Sequence, residues 1–337
     1  MNLLYVRYII IFLYIAIRTL RLRALWNLLR LRISYIRSAY MHQDVSVYPP
    51  SYISIEPTNI CNLQCPECPT GNKTSTVAKG YVSAEIFSKV LEACKPYTIA
   101  INLYFQGEPF LHPQMCSMIS QIHKASIISS VSTNAHYITA ENAADIVASG
   151  LTHLIVSFDG YNQETYELYR RNGSFQKVVE ALEAIKKAKQ KQKSFTPIVE
   201  LQCLLFAHTQ NHLHQIRELG NQYGADRVVF KTAQFYSTEN MHLLPDSKYS
   251  RYTVEDKKIR IKKPLRNACW RMWSSCIISW QGNVLPCCFD KNHIYSYGNV
   301  EDAGFIDIWN SSQAQRFKRR VHSQRASIEM CRNCTTK

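Results

Sequence analysis

Cys61-Asn62-Leu63-Gln64-Cys65-Pro66-Glu67-Cys68 comes shortly after the apolar run Tyr52–Ile55, and its reading decides what the rest of the chain is. Three thiols at C-x3-C-x2-C spacing cannot pair into disulfides without leaving one over. They suit a soft metal or three corners of an iron–sulfur cube. Zinc normally takes a fourth protein ligand, and the nearest sequence neighbours offer none. A cube with three protein ligands leaves one iron open to a substrate or cofactor, the arrangement that separates catalytic from closed structural sites.

Outward from this run, short apolar stretches alternate with helix-period segments. Strand-like runs lie near Tyr52–Ile55, Ile99–Tyr104, Ile127–Val131, His153–Ser157, Ile198–Leu205 and Arg227–Lys231. Helical patterns fall at Ala84–Cys94, Pro113–Lys124, Ala140–Ala148, Gln176–Gln190 and His212–Tyr223. This alternation predicts an α/β fold of six βα units round a parallel sheet, fewer than the eight of a full TIM barrel. The Lys-rich stretch Lys186–Lys193 reads as a solvated helix end. A boundary falls at 238–264, where Ser, Asp, Lys and Pro replace the apolar runs. Beyond it, Cys276–Trp280 and Val284–Cys287 flank Gln281-Gly282-Asn283 as a β-hairpin, and Ile306–Arg319 is helical in pattern. The expected units are therefore 1–45, a basic apolar helical segment; 46–237, the core; 238–264, a linker; and 265–337, a Cys-rich domain.

The 337 residues are enough for one large or two modest domains. Hydrophobic residues at 46% and charged residues at 19% exclude wholesale disorder. Net charge is +15, which favours anionic partners. The first 43 residues hold no Asp or Glu but carry Arg7, Arg18, Arg21, Arg23, Arg30, Arg32 and Arg37. The uncharged run Tyr8–Ile17 is half the roughly 20 residues a spanning helix needs. Arginines come directly after it with no small-residue cleavage site, which argues against secretion. Two readings of this segment stand: a basic amphipathic helix on an anionic bilayer, or a helix packed on the domain with its arginines in solvent.

The three-cysteine run, together with the motifs C-terminal to it, resembles the radical S-adenosylmethionine (SAM) superfamily over roughly residues 51–235. The resemblance implies a partial (β/α)6, TIM-like barrel in which Cys61, Cys65 and Cys68 ligate a SAM-binding [4Fe-4S] cluster. It also implies that Glu108, in Gly107-Glu108-Pro109, binds the SAM ammonium. Ser132 and Asn134, in Ser132-Thr133-Asn134, match the family's ribose and methionyl contacts, and Ser157 a ribose or carboxylate contact. Arg170 matches an arginine that pairs the SAM carboxylate, with Arg171 as its rival. Singly, these elements read equally well as turn, helix cap or strand-end hydroxyl. Their order behind the cysteines is what carries the resemblance. The chain departs from the pattern at Glu67, where many members place an aromatic residue over the adenine.

Six further cysteines lie beyond residue 265: Cys269, Cys276, Cys287, Cys288, Cys331 and Cys334. They resemble the SPASM/twitch auxiliary-cluster extension of that superfamily. Two closed four-cysteine sites would need eight thiolates and six are present, so one closed auxiliary [4Fe-4S] site is the economical count, with an incomplete second cluster as the alternative. The resemblance implies Cys269, Cys287, Cys331 and Cys334 as its ligands. Zinc in a ribbon site is the rival metal. Cys276 and Cys288 are then spare, expected as buried packing, and no base role is carried over to Asp290. Cys94, Cys116 and Cys203 are expected as core.

The resemblance implies reductive cleavage of SAM to a 5′-deoxyadenosyl radical that takes a hydrogen atom from a substrate. An auxiliary cluster able to accept an electron favours net oxidation. Flavodoxin or ferredoxin is the expected electron donor, and twelve cysteines without a secretory signal imply a reducing cytoplasm. Three functions compete. The first is oxidation of a small sugar, cyclitol or lipid-linked substrate, with the N-terminus docking a membrane or phosphate. The second is peptide or protein maturation, for which the forty residues before Met41 are short as a recognition domain. The third is a non-catalytic metal module on nucleic acid, against which stands the lack of an RNA-binding signature. Lys231, Gln234 and Gln202 are candidate cavity residues from the late strands.

Overall fold

The computed structural model describes residues 21–41, 48–236, 238–255, 258–263 and 265–335. The expectations on Arg7, Arg18 and Tyr8–Ile17 lie outside the described residues.

The six expected strands form: β1 (Tyr52–Ile55), β2 (Ala100–Asn102), β3 (Ile128–Thr133), β4 (His153–Ser157), β5 (Ile198–Leu205) and β6 (Arg227–Thr232). They pair in chain order, all parallel, with helices between them. This is the partial (β/α)6 barrel. Its helices obey local rules. In Ala84–Cys94, for example, the Ser83 hydroxyl caps the Ile86 N–H at 3.1 Å, and Ile86, Phe87, Val90 and Leu91 face the sheet.

The two faces of the sheet differ. On β1, Ile53 and Ile55 are buried against helices, while Ser54 points to the concave side with its register partner Asn102, 3.3 Å away. On the late strands the concave side carries His153, Glu200, Gln202, Arg227 and Lys231, joined by ion pairs and hydrogen bonds. A closed parallel sheet is apolar on both faces. Here the inner face is mixed, these polar groups sharing it with Ile155, Ile198 and Val229 by register.

The C-terminal region completes the same sheet. β9 (Ser275–Ile278) lies parallel to β1, and β10 (Val284–Leu285) returns antiparallel to β9. The expected hairpin therefore forms, but its first strand docks on the edge that six strands leave open. The stretch 238–264 carries structure of its own: two 3-10 turns, Met241–Leu243 and Ser247–Tyr249, and the hairpin β7 (Tyr252–Glu255) with β8 (Lys258–Ile261). The expected helix Ile306–Arg319 is two helices, Phe305–Trp309 and Ser312–Gln324. The break falls at Ser311, whose hydroxyl caps the second helix through the Ala314 N–H. In the Lys-rich stretch, Lys189 turns inward to Asp226 at 2.9 Å instead of into solvent. Helix Leu22–Met41 packs across the N-terminal strand ends. There Asn27 donates to the Pro49 carbonyl at 2.8 Å and Arg21 to the Thr98 carbonyl at 3.2 Å.

Lys318 is a buried cation between indoles, 3.6 Å from the Trp309 ring centroid. The rings offset part of its lost hydration. Burial nevertheless lowers its pKa to about 7, with Cys276 acting in the opposite direction. Between pH 7 and the ordinary lysine range, the unfolded chain holds a proton there that the folded chain lacks. Stability therefore rises with pH across that window. We expect Lys318→Met to raise the denaturation midpoint at neutral pH and to remove that rise. Paired urea melts of the two proteins at pH 6.5 and 8.5 check this; equal slopes with pH would contradict it.

Candidate functional site: two cysteine centres joined by a cleft

The C-terminal strand ends carry the first centre. After β1 the chain turns through Cys61, Cys65 and Cys68, with the Cys68 N–H on the Cys65 carbonyl at 3.1 Å. Gly71 folds this loop back on itself; a Cβ there would stand 2.6 Å from the Cys65 nitrogen. Burial, with Glu108, Cys65 and Cys68 adding to it, pushes the Cys61 thiol up to about 12. Such thiols ionise when a cation arrives to bind them.

Glu108 is placed by Gly107, whose φ is +72° and whose missing side chain would fall 2.4 Å from the Thr58 carbonyl oxygen. No other residue type fits that approach without strain. The Glu108 carboxylate is buried and accepts from Thr133 Oγ1 at 2.6 Å, the Asn134 N–H at 2.7 Å and the Phe110 N–H at 3.1 Å. Burial raises its pKa and these three donors lower it. Two oxygens offer about four lone pairs, so room remains for one more donor, which suits an ammonium. Asn134 lies beside the cysteine loop, donating to Asn62 at 2.8 Å and approaching Cys61 Sγ at 3.8 Å. Ser132 and Ser157 sit at the concave ends of β3 and β4.

Arg170 reaches the same place from the helical segment after β4. Its Nε donates to Asp159 at 2.6 Å and its Nη1 to Cys65 Sγ at 3.7 Å. The remaining donors of its fork stay available to a carboxylate. The rival Arg171 is exposed, and it is its backbone carbonyl that accepts from the Gln64 N–H.

The four expected auxiliary ligands come together. Cys269, Cys287, Cys331 and Cys334 line one small cavity with Met272, Phe317 and Arg325. Among the described residues, no three His, Cys, Asp or Glu side chains meet tightly enough for a single ion. What fits an iron–sulfur cluster is the chemistry of the donor set, four thiols lining one cavity. Arg325 is buried beneath it, donating to Cys334 Sγ at 3.3 Å and to the Ala268 carbonyl at 2.6 Å. The two spare cysteines separate. Cys276 is core, with its thiol pushed up by burial. Cys288 is not packing: Arg271 donates to it at 3.1 Å, and Cys287 and Arg271 hold its pKa low against burial. Asp290 is occupied by the Ile294 and Tyr295 N–H groups at 2.8 and 2.9 Å, so it braces a turn.

Several residues invisible to motif reading complete the arrangement. Glu67 accepts from the Tyr236 N–H at 2.7 Å and from Asn240 Nδ2 at 2.5 Å. It ties the cysteine loop to the segment after β6 and is not a lone departure from a pattern. Glu56, at the end of β1, has one oxygen on the Trp280 N–H and one without a partner; burial raises it to about 7. Lys231 and Gln202 bond to each other on the concave face at 2.6 Å, and the Gln234 amide nitrogen is buried without a partner.

Between the two centres lies an open cleft of about 1030 Å³. Its walls include Asn72 from the first cysteine loop and Asn333 from the second cysteine group, with Tyr236, Tyr252, Phe289 and Tyr295 between them. Among the described residues, Lys258, Arg260, Lys263, Lys291 and Arg332 line it against Asp290 and Glu329, so this lining is positive, with Arg260 also paired to Glu255 at 3.6 Å.

Comparison with known proteins agrees with this geometry. Residues 55–201 match the radical SAM superfamily model, and residues 269–335 match the SPASM iron–sulfur cluster-binding domain. The chain is 23% identical to the AdoMet-dependent heme synthase of Methanosarcina barkeri over 84% of its own length and 88% of that protein. It is 25% identical to the mycofactocin maturase MftC of Mycolicibacterium smegmatis, over 85% of its own length and 75% of that protein. Its fold is shared with the crystal structure of BtrN in complex with AdoMet and 2-DOIA. The TM-score is 0.53 at 18% identity, covering 87% of this chain and 95% of that one. The two matched domains make this chain a radical SAM family enzyme with a C-terminal SPASM iron–sulfur cluster-binding domain, the first domain binding a [4Fe-4S] cluster and SAM.

Proposed function

We propose that the enzyme oxidises an anionic small molecule, such as a sugar or cyclitol phosphate or a lipid-linked precursor, held in the cleft between the two centres. The observation that carries this reading is the cleft itself, with five cationic side chains against two acidic ones. Arginine and lysine at that density recognise phosphate or carboxylate. When bound, the cluster and SAM supply reductive cleavage of SAM and hydrogen-atom abstraction, and an auxiliary cluster supplies a place for the substrate's second electron.

The chain's own residues divide the remaining work. Cys61, Cys65 and Cys68 hold the first cluster. Glu108 binds the SAM ammonium, kept in line by Thr133 and the Asn134 N–H. Arg170, oriented by Asp159, meets the SAM carboxylate. Asn134, Ser132 and Ser157 line the ribose and methionyl path along the concave strand ends. Cys269, Cys287, Cys331 and Cys334 hold the auxiliary cluster, with Arg325 offsetting its negative charge. Tyr236, carried by Glu67, walls the cleft beside the first centre. The proposal includes a reducing, cytoplasmic setting and a flavodoxin or ferredoxin as electron donor.

One observation favours a second reading. The cleft is larger and more open than most small-molecule pockets. It is bordered by the exposed two-stranded hairpin β7–β8, an edge able to pair with an extended peptide. With a maturase among its relatives, modification of an acidic peptide is the alternative.

Two outcomes test these assignments. Anaerobic reconstitution should give about eight irons per chain and release of 5′-deoxyadenosine with dithionite and SAM. Cys61→Ala/Cys65→Ala/Cys68→Ala should keep about four irons and release none. A protein that holds zinc alone and leaves SAM intact would end this proposal. For the cleft, a low-molecular-mass phosphorylated fraction of cell extract should stimulate 5′-deoxyadenosine release above the basal level. Lys258→Glu/Arg260→Glu should abolish that stimulation and leave basal cleavage unchanged. Stimulation by the peptide fraction alone would transfer the assignment to the second reading.

A further inference from the structure

Helix Leu22–Met41 is built inside out. Its buried residues are Ala24, Asn27, Leu31, Ser34, Tyr35 and Ser38. Most of these are small or polar, and they make specific contacts: Asn27 to the Pro49 carbonyl, Trp273 Nε1 to the Ser34 hydroxyl at 3.4 Å, and Ser38 to His322 at 3.3 Å. Its outward face carries Leu22, Trp26, Leu29, Ile33, Ile36 and Tyr40, each between 42 and 76% exposed. Their alternating spacings of four and three residues make one continuous stripe along the helix. A helix that only had to cover a solvated domain would turn these residues inward and its asparagine and serines outward.

The stripe is rimmed by cations. Arg23, Arg30 and Arg37 recur every seven residues along one flank, and Arg32 stands on the other; all four are exposed. The Arg30 guanidinium lies between the Trp26 and Tyr48 rings, at 5.3 and 5.6 Å from their centroids. The helix itself contains no acidic residue.

We propose that this face docks on an anionic lipid bilayer, lying in the interface with the arginines at the headgroups. Charge selects this occupant. A second copy packed stripe to stripe would bring arginine rows together. So would the segment before the helix, since the first 43 residues contain no Asp or Glu and include Arg7 and Arg18. An anionic surface with an apolar interior answers both the cations and the stripe. Trp26 and Tyr40 add rings suited to the headgroup level. Among the described residues no helix is long and apolar enough to cross a membrane, so the mode is lying on, not spanning. The helix packs at the N-terminal strand ends, opposite the cysteine loop. Docking there leaves the mouth of the barrel facing away from the bilayer. The proposal is independent of the substrate reading.

The test uses the full chain, reconstituted anaerobically, with vesicles of phosphatidylcholine alone or mixed with phosphatidylglycerol. We expect co-sedimentation at least about tenfold stronger with the anionic vesicles. Leu29→Ser/Ile33→Ser should weaken it about tenfold while basal SAM cleavage is kept. Brominated lipid should quench tryptophan emission in the native protein, and Trp26→Phe should remove that quenching. Binding unchanged in the double variant would overturn the proposal, because the preceding segment would then carry it. Indifference to both vesicle types would overturn it as well. A native dimer that the double variant converts to monomer would assign the stripe to a second copy.

Discussion

The guanidinium of Arg170 is the point on which the first centre depends. It sits 2.6 Å from Asp159 and 3.7 Å from Cys65 Sγ, within the protein. Burial alone would lower its pKa; Asp159 and Cys65 more than reverse that, so it remains a fixed positive charge. Asp159 in turn accepts from the Leu204 N–H at 2.6 Å, which ties the pair to the end of β5. Removing one partner of a buried pair typically costs about 3–5 kcal/mol, because the other is left uncompensated. The same solution recurs in the C-terminal half. Arg325 stands on Cys334 and Arg271 on Cys288. Thiolate-bound iron–sulfur clusters are anionic, and burying one without a cation nearby would oppose both its assembly and its reduction.

The open barrel reflects a second constraint. The six strands stay open, and polar side chains such as Ser54, Asn102, Glu200 and Gln202 share the inner face with Ile155 and Val229. β9 extends the sheet beside β1 without sealing it, and its docking joins the C-terminal region to the barrel through one sheet. The cleft is a consequence of that union. One wall belongs to the cysteine loop after β1, and another to the segment that carries Cys331 and Cys334. The cleft reaches residues adjoining each cysteine group in sequence, Pro69 after Cys68 and Asn333 before Cys334. Glu67 supports the same geometry from the side, because its two hydrogen bonds set where the 236–240 segment starts its path along the cleft.

Much of this is legible in the sequence. The C-x3-C-x2-C run and the six strand positions rest on spacing, which survives without knowledge of tertiary contacts, and the grouping of Cys269, Cys287, Cys331 and Cys334 rests on the family resemblance. The helix break at Ser311 is hidden because the apolar period runs on through it; only the Ala314 N–H capped by the serine shows the change of direction. The parallel docking of β9 is not legible either. A hairpin pattern specifies its own two strands and says nothing about a third at its edge. Glu67 reads as a departure from a family pattern because its partners lie about 170 residues away in sequence. Cys276 and Cys288 look alike for the same reason. What divides them is Arg271, which reaches one and not the other.

The N-terminal helix shows how one composition supports two readings until burial separates them. Its arginines are solvated, as a packed surface helix requires, and its apolar residues are also solvated, which such a helix does not require. The helix is packed on the domain with Arg23, Arg30, Arg32 and Arg37 exposed, as one alternative expects, and it is packed by its small and polar face. Asn27 and Arg21 bind it to carbonyls at the bottom of the barrel, while Ser34 and Ser38 bind it to Trp273 and His322 of the C-terminal region. Small polar residues give that seam direction more than affinity, because each neutral hydrogen bond contributes only about 1 kcal/mol net. The strongest driving force the helix has left, its exposed apolar stripe, points away from the protein. The stripe lies at the end of the barrel opposite Cys61, Glu108 and Arg170, because the helix is bound to the chain ahead of β1 and β2 while those residues follow the strands.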